Sequence, residues 1–160
     1  MNQTVELPAV SEFMKRHLVE VFETMVTTKA ELQLNAPPPH HAERVTGSVG
    51  FAGENVTGAV YLHLSAAFAN QATGAMLGLG PTDPVGETEV NDVVGEMTNM
   101  LTGGLKSWLC DMGLPCAVST PAIIRGASFE IEAMPDVKRE RLVFKCNEES
   151  VVAEIHIKIS

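Results

Sequence analysis

Two runs near the middle of the chain, ERVTGSVGF and ENVTGAVYL, share a Val-Thr-Gly core eleven residues apart, with a short Ala-Gly step between them. Short β-branched runs joined by such a step predict an antiparallel β-hairpin. Their glycines also suggest a phosphate cradle. Neither run, however, carries the Lys-Ser/Thr of a P-loop or leads directly into a GxGxxG-type helix start, so the glycines read as structural.

The elements around the hairpin alternate between helical and strand periodicity. In SEFMKRHLVEVFETMV, Phe13, Met14, Leu18, Val21, Phe22 and Met25 recur at helical spacing, with Ser11 placed as the N-cap. The prolines of APPPHHAE then break the chain, and His40 and His41 on extended backbone point to opposite sides, a poor start for a metal site. Ser65 is placed to cap a second helix, AAFANQATGAMLG, which ends at Gly78 and Gly80. A long helix starts at Glu87 or Thr88 and stops before Gly113-Leu114-Pro115.

Beyond that break the pattern turns to strands: CAVSTPAIIRG, which its proline confines to an edge or an irregular course, then SFEIEAM, RLVFKC and VVAEIHIKI. In the last, Ala153, Ile155, Ile157 and Ile159 face one way and Glu154, His156 and Lys158 the other, which predicts one wet sheet face. The expected fold is α+β: a two-layer sandwich of a mainly antiparallel sheet with a long helix and two shorter ones on one face, forming a single domain over residues 1–160. A chain of this length buries roughly 68–70% of its unfolded surface.

Twenty acids against 11 basic residues leave a net charge of -9, which disfavours nucleic acid and anionic membrane surfaces and favours a partner with a basic patch. No run of 18 apolar residues and no export signal is present, which predicts a cytoplasmic protein. Cys110, Cys116 and Cys146 lack CxxC spacing, so they are expected as buried, reduced thiols rather than as zinc ligands or a disulfide framework.

The long helix NDVVGEMTNMLTGGLKSWL carries the chemistry. At about 100° per residue, Asp92, Glu96, Asn99 and Gly103 fall within roughly 60° of one another. Val93, Met97, Met100, Leu101, Gly104, Leu105 and Trp108 cluster about 130° away and supply the core face. Glu96 and Asn99, at i and i+3, can grip one external group together, and Gly103 removes bulk beside them. An ordinary amphipathic helix also has a polar face, so the stripe alone leaves both readings open.

Asp92-x3-Glu96-x2-Asn99, followed by Pro121 in STPAIIRG, resembles the D/S-x3-E-x2-N…P signature of the CheC/CheX/FliY phosphatases of bacterial chemotaxis, and of CheX most closely. The hairpin, LHLSAAFANQATGAMLG and the strand after Pro121 extend the resemblance from about residue 10 onward; the gap from Asn99 to Pro121 is one residue shorter than the pattern. The chain ends at its last strand, which predicts no additional module. Laying FETM of the first helix over MTNM sets Val21 opposite Glu96 and Thr24 opposite Asn99, so the first helix lacks the pair and one site per chain is expected.

The resemblance implies a phosphatase acting on the aspartyl phosphate of CheY-like response regulators. Asn99 would orient the attacking water and Glu96 would pair with the regulator's lysine; Gly103 would clear a partner's approach, and Asp92 would either pair with a partner charge or favour the early turns of the helix dipole. Magnesium would sit on the regulator, leaving this chain without a bound cofactor or metal. It also implies a homodimer paired through the sheets, with VVAEIHIKIS serving as an edge. The alternatives are a binding module that engages a regulator without hydrolysis and, more weakly, a metal or small-ligand protein using His40, His41, His63 and His156.

Overall fold

The computed structural model describes residues 5–34, 43–80 and 82–160, so His40, His41 and nearly all of the APPPHHAE break lie outside the described residues. In chain order the elements are α1 (Leu7–Val26), β1 (Glu31–Leu32), β2 (Arg44–Ala52), β3 (Val56–Ser65), α2 (Ala66–Leu77), α3 (Glu87–Asp111), β4 (Ala117–Val118), β5 (Ala122–Gly126), β6 (Lys138–Cys146) and β7 (Glu149–Ile159). All strand pairs are antiparallel, in the order β1-β6-β7-β3-β2, with β4 and β5 side by side on the outer edge of β2. The fold is the expected α+β arrangement of an antiparallel sheet and three helices.

The twin Val-Thr-Gly runs form the β2–β3 hairpin, paired from Arg44↔Ser65 to Ala52↔Thr57. Ser65 caps α2, its hydroxyl accepting from the Phe68 N–H at 3.1 Å, and Gly78 ends that helix with φ 70. Pro121 falls between the short edge strands β4 and β5, the irregular course its missing N–H requires. Helix α1 instead starts four residues before the expected cap. Pro8 sits in its first turn, where the N–H is unsatisfied in any case, and Ser11 is inside the helix and buried.

The outer sheet face differs from the wet surface expected. Residues 128–134, SFEIEAM, are not a strand; they belong to a loop that crosses this face. Arg44 Cζ lies 3.9 Å from the Phe129 ring centroid, with the guanidinium over the ring, the His63 ring is beside it, and Arg139 Nη1 donates to the Ile131 carbonyl at 3.3 Å. Phe129 of the loop thus covers the sheet face, whereas Met134 stays exposed.

Beneath it Glu154, His63 and His156 are 2%, 4% and 6% exposed. His63 Nε2 reaches Glu154 Oε1 at 3.3 Å, His156 Nε2 reaches Oε2 at 2.6 Å, and Arg141 Nε reaches Oε1 at 3.4 Å. The two histidines therefore meet on a carboxylate, and among the described residues no group of three or more His, Cys, Asp or Glu is arranged to hold a metal ion. Burial pushes the Glu154 carboxyl up, but the hydrogen bonds from His63 and His156, with the Arg141 charge, outweigh it and hold it at about 2, below its ordinary 4.5.

A depressed carboxylate contributes stability above its unfolded-state value, and that contribution is lost as pH falls toward the folded value. Denaturant midpoints should therefore drop between pH 4.5 and about 2. Glu154→Gln should be less stable at neutral pH and flatter across that window, by on the order of a few kcal/mol. Parallel curves for the two proteins would refute this account.

Strand β7 is also not an edge. It pairs with β3 on one side and β6 on the other along nearly its whole length, so it has no free ladder to offer a second copy. The cysteines divide likewise: Cys146 is buried, its thiol raised to about 12 chiefly by that burial, whereas Cys110 is exposed and Cys116 partly so; all three are free thiols.

Candidate functional site

Helix α3 lies over β2 and buries Val90, Val93, Val94, Met97, Leu101, Leu105 and Leu109. Its core stripe also contains two threonines that the apolar pattern did not flag. The hydroxyls of Thr98 and Thr102 donate back to the carbonyls of Val94 and Thr98 at 2.7 and 2.8 Å, which satisfies them inside the core. Met100, expected in the core, is 36% exposed, and Trp108 is half-buried, stacked on Phe13 with centroids 5.5 Å apart.

The Gly-Gly pair separates into two roles. A Cβ on Gly104 would collide with the His17 ring, so this glycine lets α1 pack closely, and His17 Nε2 lies 2.9 Å from the Met100 carbonyl. At Gly103 nothing lies within 4 Å of where a Cβ would be, which leaves open space on the helix surface.

The opposite face carries Asp92 and Glu96, both exposed, and half-buried Asn99. Among the described residues none of these three side chains is engaged in a hydrogen bond or ion pair of the chain, although neighbours on the same helix are: Asn91 and Glu87 both hold Arg125. Polar groups at i and i+3 without internal partners are free to serve an external one. Pro121 stands behind the same turn, its Cγ 3.4 Å from the Cβ position of Gly95, so α3 and the strand after the proline converge where Glu96 emerges. On α1, Val21 is 3% exposed and part of the core while Thr24 is exposed, and α1 offers no comparable acid-amide pair there.

A model of the family described as "Chemotaxis phosphatase CheX" matches residues 45–147, well over half of the chain and including all of α3 and Pro121. The chain belongs to the CheX family. Solved structures show the same fold as this CheX-family chain. Chemotaxis protein CheX from Vibrio vulnificus superposes with a TM-score of 0.81 at 24% identity, over 97% of this chain and 100% of that one. A CheC-like superfamily protein from Shewanella sp. PV-4 gives 0.79 at 24%, covering 96% and 99%. The CheX of a CheX-CheY-BeF3-Mg complex from Borrelia burgdorferi gives 0.72 at 18%, covering 93% and 97%. No curated protein matches the sequence significantly.

Helical spacing in this CheX-family sequence places Asp92, Glu96, Asn99 and Gly103 on one face but gives no hint of the Arg125 contact with Asn91 and Glu87. The signal for Arg125 lies in the strand instead: Pro121, Ile123 and Arg125 alternate along it and so share one side.

Proposed function

We propose that this CheX-family chain hydrolyses the aspartyl phosphate of a CheY-like response regulator, with α3 as the inserted element. The observation that carries the reading is exposed Glu96 beside half-buried Asn99, neither with a side-chain partner among the described residues, next to the open space at Gly103. The solved complex of a related CheX with CheY supports the same class of partner.

A phosphoaspartate is a reactive acyl phosphate, so its transfer to water requires alignment and charge compensation more than a protein nucleophile. Asn99 would accept a hydrogen bond from the attacking water on its amide oxygen, holding that water in line with phosphorus. Glu96 would form a charge-assisted pair with the regulator's lysine and set the docking register. Magnesium belongs to the regulator in this scheme.

Asp92 reads best as a partner contact. Glu87 and Glu89 already occupy the first turn, where a carboxylate gains from the helix dipole, and that gain fades beyond the turn.

The test follows phosphate release from a labelled regulator. The native protein should accelerate it, and Glu96→Ala should raise the regulator KM roughly tenfold, the scale of a lost charge-assisted contact. Binding without acceleration would reduce the chain to a non-catalytic binder, and neither binding nor acceleration would overturn the reading.

A further inference from the structure

We propose that Arg125 is a positioning residue that clips β5 to the first two turns of α3 and thereby sets where Glu96 meets the regulator; this rests on the docking role proposed for Glu96. Arg125 Nε and Nη2 both donate to Asn91 Oδ1, at 3.2 and 2.7 Å. Nη2 also reaches the Glu87 carbonyl at 3.5 Å, and Nε lies 3.6 Å from a Glu87 carboxylate oxygen. One guanidinium thus spans two successive helical turns.

The second anchor is Pro121 on Gly95, with Ile123 Cδ1 4.0 Å from the same Cβ position. Glu87 to Gly95 is roughly 12 Å of helix, and Pro121 to Arg125 roughly 13 Å of strand. Two elements of matched length are therefore fastened at both ends, and Glu96 is the first residue beyond the fastening.

Two features point to geometry as the reason for an arginine here. Helix α3 has Gly86 as its N-cap and therefore no side-chain cap, so its first turns depend on tertiary contacts to stay in place. A cation beside a helix N-terminus also has the unfavourable sign for the dipole. What an arginine offers at that place is a rigid fork of donors that can hold one acceptor with two N–H groups.

Four proteins test this: Arg125→Met, Asn91→Leu, the two combined, and Asn91→Asp, which retains an acceptor for the fork. Two readouts are taken, affinity for a regulator loaded with beryllofluoride in place of phosphoryl, and KM and kcat for dephosphorylation. Arg125→Met and Asn91→Leu should each raise Kd and KM about fivefold, the scale of one hydrogen-bonded contact, with kcat within about twofold of native. The double variant should be no worse than either single one, and Asn91→Asp should behave as native.

An Asn91→Leu protein with native Kd and KM beside an impaired Arg125→Met would make Arg125 a surface charge read by the regulator, and the clip would be overturned. Loss of kcat alone, in step with a falling folded fraction, would also overturn it by showing a merely structural contact. Failure of the docking role itself shows separately, as a native chain that neither binds nor dephosphorylates the regulator, and the clip falls with it.

Discussion

Asn99→Ala should lower the rate of regulator dephosphorylation by roughly 100-fold while leaving both folding and regulator affinity near native, because misplacing a reacting group costs about that much. Asn99 makes no hydrogen bond or ion pair within the described chain, so its removal strands no buried partner. Alanine is also the better helix former, which places the thermal midpoint at or slightly above native. With Glu96 left intact in its proposed docking role, KM should stay close to native while kcat falls, the signature of an interaction made only as the water attacks. Single-turnover phosphate release from a saturated complex reads this directly. A rate within a few-fold of native would remove Asn99 from the mechanism whatever the affinity.

A second loss of stability is expected at Gly47, where β2 packs closely against α3. A Cβ there would collide with Thr98 Oγ1 and lie 3.0 Å from Thr98 Cβ and 3.2 Å from the Val94 carbonyl oxygen. The Thr98 hydroxyl cannot turn away without breaking its 2.7 Å bond to that carbonyl, and the remaining contacts are with the helix itself. Gly47→Val should therefore cost about 1–3 kcal/mol, the usual penalty of overpacking, although valine is a good strand residue. For a chain of this size the thermal midpoint should fall by roughly 3–10 °C. Adding Thr98→Ala should recover part of the loss by removing the hydroxyl. Unchanged denaturant midpoints for Gly47→Val would mean that α3 rides on β2 more loosely than the contact implies. Since α3 presents Glu96 and Asn99 on its other side, the same variant should lose dephosphorylation in excess of its unfolded fraction.

What the sequence revealed divides by the range of the interaction. The hairpin was legible because both strands and the turn lie within 22 residues, and α2 because Ser65 and Gly78 are local caps. The polar stripe of α3 was legible because helical geometry alone brings Asp92, Glu96, Asn99 and Gly103 together. Ser11 misled because it satisfied the chemistry of a cap, while Pro8, tolerated in a first turn, let the helix begin earlier.

Period-two alternation in SFEIEAM and VVAEIHIKI was real, but it reports which side chains share a side and not what lies against them. Glu154 read as solvent-facing because two of its partners come from other strands: His63 is 91 residues away in sequence and Arg141 is 13. Arg125 went unnoticed for the same reason, with Asn91 34 residues distant.

The central place of β7 bears on the order in which the protein can assemble. β2 and β3 can close on themselves early, over the three residues between Ala52 and Val56. The other edge of β3 waits for partners about a hundred positions further on, from Val56↔Ile159 to Leu64↔Val151. Until residues 149–159 are available the nascent sheet remains two separate ribbons with an exposed seam, the kind of late, long-range closure that slows folding and exposes a chain to misassociation. Helix α3, by contrast, rests on β2 and β3, so the platform beneath Asn99 belongs to the ribbon that can close first, while α1 also packs on β6, across the seam that β7 must fill.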